Sequence, residues 1–83
     1  MKVRYFAWVR ERVGTAEEEI EPPSSVITVS DLIGWLTKRG EGYAYAFENP
    51  KIVRAAIDKT HVRADARIAG AGEIAFFPPM TGG

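Results

Sequence analysis

Gly82 and Gly83 close the chain, and their types and position suggest a chemistry. A residue without a Cβ passes through openings that exclude every other side chain. Two in succession at a terminus can carry a carboxylate into a narrow channel on another protein. A carboxylate is a poor electrophile until a phosphate or nucleotide is attached to it. The natural sequence of events is ATP-dependent adenylation of Gly83, attack by a sulfur nucleophile on the acyl adenylate, and a terminal thiocarboxylate. The chain has no Cys, so sulfur must travel on another group, and a thiol nucleophile, a disulfide framework and a Cys-based zinc site are excluded.

The segment before the glycines is suited to project them. Residues 73–77, Glu-Ile-Ala-Phe-Phe, read as a last strand entered through Gly70-Ala71-Gly72. Pro78 and Pro79 donate no ladder hydrogen bond, so the strand must end there. They favour an extended, stiff segment. The expectation is a tail over 78–83, with Pro79, Met80, Thr81 and Gly82 inserting into a partner and Gly83 reacting.

The elements that must hold this tail follow from the pattern upstream. Residues 2–7 alternate as a strand, with Val3, Tyr5 and Ala7 on one face and Lys2, Arg4 and Phe6 on the other. Residues 8–13 form a short helix stopped by Gly14. Residues 16–21 form a second, acidic strand at a sheet edge, where charge discourages further pairing. Glu17-Glu18-Glu19 reads as a solvated edge rather than a catalytic pair. Pro22-Pro23-Ser24-Ser25 is a loop. Thr28 and Asp31 resemble a capping box. Val29, Leu32, Ile33 and Leu36 then make the apolar stripe of the main helix, ended by Gly40. Residues 42–49 suggest a short further helix closed by Pro50. Lys51 to Ile57 and Thr60 to Val62 read as strands. The class is α+β, one sheet packed on one main helix.

Composition narrows the function. Eighty-three residues make a single domain over 1–83, near the lower size limit for an independent core. The 11 basic and 11 acidic residues cancel, without the basic excess of a nucleic-acid binder. Near-neutral charge leaves little repulsion against association. No apolar run approaches the roughly 20 residues of a membrane span, and no signal peptide is evident. A cytoplasmic protein is expected. The single His, His61, has no visible metal-ligating companions.

Phe76 and Phe77 are adjacent in a strand and therefore face opposite sides. With Ile74 and Phe76 under the helix, Phe77 points outward, as does Phe6. Exposed aromatics at the tail's root suggest a partner interface of Phe6 and Phe77, bordered by Arg10 and His61. Trp35, Tyr43 and Tyr45 are assigned to the core or its rim.

Residues 73–83, EIAFFPPMTGG, resemble the C-terminal signature of the MoaD proteins, the small sulfur-carrier subunits of molybdopterin synthase within the MoaD/ThiS ubiquitin-like family. Residues 2–14, KVRYFAWVRERVG, resemble the family's first strand and helix. Residues 55–58, Ala-Ala-Ile-Asp, fall where a family strand does, so the resemblance spans the chain. It implies a ubiquitin-like β-grasp, a mixed sheet of about five strands on one helix. It also implies a carrier that is no enzyme by itself and binds no cofactor, ATP being used by a MoeB-like E1 adenylating enzyme. A MoaE-type large subunit would accept the tail in a heterotetramer and use its sulfur on cyclic pyranopterin monophosphate. The chain departs from the pattern at Gly70 and Gly72, where acidic residues are usual, at Asp58 for Asn, and at His61 for an apolar residue. Alternatives are a ThiS-like carrier for thiazole synthesis, a ubiquitin-like protein modifier, and a plain β-grasp binding module.

Overall fold

The computed structural model describes residues 1–79; Met80, Thr81, Gly82 and Gly83 lie outside the described residues. Its strands are β1 (Lys2–Tyr5), β2 (Glu17–Glu19), β3 (Arg54–Ile57), β4 (Thr60–Val62) and β5 (Glu73–Phe77). Its helices are α1 (Ala7–Val13), α2 (Val29–Thr37) and α3 (Glu41–Ala46), with a 3-10 turn over Pro50–Ile52. The strands form one five-stranded sheet in the order β2-β1-β5-β3-β4. The last strand lies at its centre, parallel to β1 and antiparallel to β3.

Burial selects one face. Val3, Tyr5, Ile74 and Phe76 are fully or almost fully buried, and each is flanked along its strand by more exposed neighbours. They share a core with Val29, Leu32, Ile33 and Leu36 of α2. Full burial of such a side chain stabilises by about 1.5–3 kcal/mol, so this stripe is the main attachment of helix to sheet. Phe76 stacks at 6.4 Å with Tyr5 and meets Phe47 edge-on at 5.2 Å.

The Thr28–Asp31 capping box forms as the sequence implies. Thr28 Oγ1 accepts from the Asp31 amide, and Asp31 Oδ2 accepts from the amides of Thr28 and Ile27, each at 3.1 Å. Accepting those bonds pulls the Asp31 carboxyl below its ordinary range.

Several boundaries differ from the sequence reading. The first strand stops at Tyr5 and α1 starts at Ala7, because Phe6 already caps the helix with an extended backbone. Gly14 ends α1 in the left-handed region at φ 96°, its amide bonded to Arg10 O at 2.9 Å. The main helix ends at Thr37 with Lys38 as its cap, and Gly40 instead opens α3. The third strand begins at Arg54 rather than Lys51, because Pro50 starts a 3-10 turn that consumes the residues between. Packing of α3 on α1 needs Gly42, where a Cβ would lie 2.6 Å from Arg12 O.

Candidate functional site at the root of the tail

β5 makes its last ladder pair at Phe77, opposite Arg54, and the chain leaves the sheet through Pro78 and Pro79. Both prolines are half-buried. Pro79 is the last described member of the expected insertion segment; Met80, Thr81, Gly82 and the reactive Gly83 fall outside the described residues.

The four residues expected at the partner interface are placed as follows. Phe6 is 40% exposed, and its amide donates to Phe76 O at 3.0 Å. The parallel pairing Tyr5 with Phe76 thus continues one step, which sets Phe6 beside Phe77 on the open face. The Phe77 ring meets the exposed His61 ring at 5.1 Å. They meet over β3, where the intervening residue is the small Ala56, cross-strand from His61 and from Ala75. Arg10 begins the next turn of α1, its amide within 3.3 Å of Phe6 O, and lies exposed beside Glu11, Gly14 and Thr15. Phe6, Phe77 and His61 therefore form one row across the sheet, and Arg10 stands off its α1 end.

Arg4 extends the row. Its guanidinium lies 5.2 Å from the Phe6 ring centroid and 3.9 Å from the Glu73 carboxylate. Contact of this kind holds an exposed ring in place and leaves its other side open.

Asp58 ties the β3–β4 hairpin to the entrance of β5. It adopts φ 46° and is followed by Lys59 at φ 72°, a turn that suits Asp. Its Oδ1 accepts from the amides of Gly72 at 3.2 Å and Glu73 at 3.0 Å. The sequence does not announce this clasp, which needs the tertiary approach of two turns 14 residues apart.

The acidic run needs a correction. Glu17 and Glu19 are exposed, as a solvated edge requires, but Glu18 is turned inward. Its carboxylate accepts from Tyr5 OH at 2.8 Å, Tyr43 OH at 2.7 Å and the Arg39 guanidinium at 3.1 Å. Strand alternation combined with a cross-strand tyrosine was the available signal. Burial first, and the Glu18 carboxylate second, push the Tyr5 phenol far above its ordinary range and raise Tyr43 as well.

No group of three or more His, Cys, Asp or Glu side chains among the described residues is arranged to hold a metal ion. No helix among them is long and apolar enough to cross a membrane.

Comparison with known proteins bears on the whole chain. The ThiS family model matches residues 3–83. The chain belongs to the ThiS family. This family member is 39% identical to a molybdopterin synthase sulfur carrier subunit of Escherichia coli, over 100% of the chain and 99% of the relative. It is 32% identical, with the same coverage, to a protein of the same description in Haemophilus influenzae. Among solved structures, it superposes on a candidate molybdopterin converting factor subunit 1 of Pyrococcus furiosus with TM-score 0.73. That match has 31% identity and covers 94% of each chain. Small archaeal modifier protein 1 of Haloferax volcanii, at TM-score 0.70, 20% identity and 95% coverage of each chain, shares the fold. The architecture is thus the ubiquitin-like β-grasp.

Proposed function

We propose that this chain is the sulfur-carrier subunit of a molybdopterin synthase. The observation that carries the proposal is full-length similarity, at 39% and 32% identity, to two proteins described as that subunit. The geometry supports it: the central strand ends in Pro78-Pro79 beside an open row of Phe6, Phe77 and His61, so the last residues leave from a surface suited to docking.

The chemistry proposed belongs to Gly83. An E1-like enzyme of the MoeB type joins its carboxylate to AMP from ATP, releasing pyrophosphate. Sulfide-level sulfur, HS⁻ supplied by a sulfur donor, attacks the acyl carbon, a C–S bond forms, the S–H proton is lost, and AMP departs as its C–O bond breaks. The resulting thiocarboxylate, threaded by Pro79, Met80, Thr81 and Gly82, enters the MoaE-type large subunit. There its sulfur bonds to cyclic pyranopterin monophosphate, and water cleaves the acyl C–S bond, returning Gly83 to a carboxylate for recharging. Catalytic side chains belong to the partners. Phe6, Arg10, His61 and Phe77 supply the docking surface, this chain binds no cofactor of its own, the assembly is a heterotetramer, and the work is cytoplasmic.

The test is to prepare the Gly83 thiocarboxylate, verify it by mass spectrometry, and mix it with an active large subunit and the pterin substrate. Molybdopterin forms, and none forms when Gly83 is removed. Absence of product would overturn the assignment and turn attention to a thiazole-forming partner.

A further inference from the structure

Net charge zero conceals an uneven distribution of charge along the chain. Within residues 11–21 stand Glu11, Glu17, Glu18, Glu19 and Glu21 against Arg12, and Lys2, Arg39 and the N-terminal amine come from elsewhere to pair with Glu17, Glu18 and Glu19. From the 3-10 turn to the segment after β4 stand Lys51, Arg54, Lys59, Arg63 and Arg67 against Asp58 and Asp65. Between α2 and the β3–β4 side of the sheet lies a cleft of about 360 Å³. Val29, Ile33, Val53 and Val62 give it an apolar lining, and Lys51, Arg54 and Arg63 rim it. No carboxylate lines it, and none of the three cations is in an ion pair among the described residues. Arg54 is held in place by donating to Lys51 O at 3.2 Å.

We propose that this cleft receives an acidic peptide segment, anchored by one apolar side chain, from the protein that accepts the tail. The inference rests on the carrier reading above. Charge complementarity sets the class of ligand, since three cations with no ion-pair partner among the described residues, around an apolar lining, favour carboxylates flanking a hydrophobic residue. Position sets its source. Arg54 is the cross-strand neighbour of Phe77, so the rim is continuous with the surface from which the tail departs. A protein holding the tail already covers that ground. A second copy of this chain is a poorer occupant, because its acidic edge is already neutralised. Glu17 pairs with Lys2 at 3.0 Å, Glu18 with Arg39 at 3.1 Å, and Glu19 with the N-terminal amine at 3.3 Å. Among the described residues β4 pairs with β3 alone, at the end of the sheet order, so its outer backbone edge suits the same segment.

The experiment is calorimetric titration of the full chain into the molybdopterin synthase large subunit at low and high salt. The triple variant K51E/R54E/R63E loses about tenfold or more in affinity, and the salt dependence seen with the unaltered chain shrinks. Ala64→Trp, which fills the cleft from an exposed position, weakens binding without changing charge. K38E/K59E, of the same character but at the far ends of α2 and the hairpin, leaves affinity within about twofold. Thermal unfolding of each variant confirms its fold. Wild-type affinity in the triple variant would overturn the proposal while sulfur transfer by the Gly83 thiocarboxylate leaves the carrier reading standing. So would a dimer of the isolated chain that the same reversal abolishes, since the occupant would then be a second copy. A large subunit that fails to bind the unaltered chain overturns both.

Discussion

At the β2 edge each carboxylate of the Glu17–Glu19 run has a cation within 3.3 Å, and the central one also accepts from two phenols. At the β4 edge Arg63 and the nearby Lys51 and Arg54 have no carboxylate within ion-pair distance among the described residues. The chemistry of the two edges is similar in kind, charged side chains on short strands, but its use differs. The first edge is closed by its own tertiary structure: Glu18 joins β2 to Tyr5 of β1, Tyr43 of α3 and Arg39 beyond α2. The second has no such closure among the described residues, and under the proposal above its charge serves a partner. Charge satisfied internally contributes to stability, and charge left unsatisfied is free for recognition.

Variants separate the two roles. The largest stability effect is expected from Glu18→Ala, which leaves two phenols and a guanidinium without their acceptor at a largely buried position. Urea unfolding should show a loss of about 2–4 kcal/mol. Arg63→Ala at the other edge should change stability by no more than about 0.5 kcal/mol. Equal losses at the two positions would remove the distinction.

Gly42→Ala comes next. Its Cβ falls 2.6 Å from a backbone oxygen of α1, so the helices must part, at a cost of about 1–3 kcal/mol. Gly34→Ala is the counterpart. Nothing lies within 4 Å of its Cβ, and a helix interior prefers Ala to Gly by about 0.5–1 kcal/mol, so stability should rise. Asp58→Ala breaks the clasp between the hairpin and β5 and should cost about 1 kcal/mol. Asp58→Asn keeps an acceptor and tolerates the left-handed backbone, and a thermal melt should hardly shift.

The smallest effect appears only in alkali. The folded state holds Tyr5 and Tyr43 protonated above their ordinary range. The phenols of the unfolded chain ionise near pH 10, at about their reference value. The stabilisation is therefore full below that pH and declines as pH rises through it toward the folded values. Urea midpoints measured from about pH 9 to 11 should fall, and Tyr5→Phe should flatten the slope.

Much of this was legible in the sequence because it depends on local rules. The α2 stripe and its capping box are periodic and adjacent in the chain. The alternation in β1 and β5 assigned Val3, Tyr5, Ile74 and Phe76 to one face and Phe6 and Phe77 to the other, as the burial bears out. What escaped depends on distant partners. Glu18 looks like its neighbours until Tyr43 and Arg39 arrive from another layer. Arg12 carries no sign that Trp8 and Tyr45 will stack on it, with centroids at 4.5 and 3.9 Å. Lys51 and Ile52 have strand-forming company but follow a proline that starts a turn. The cleft rimmed by Lys51, Arg54 and Arg63 was hidden by a net charge that sums to zero.

The central placement of β5 has a mechanical consequence. A pull on Pro79 along the strand axis loads the ladder with β1 and the ladder with β3 in shear, so their hydrogen bonds must yield together rather than open one after another from an end. The Asp58 clasp anchors the far end of the same strand. In the proposed carrier role, traction that a partner puts on Pro79 falls on the strongest direction of the domain instead of unravelling it.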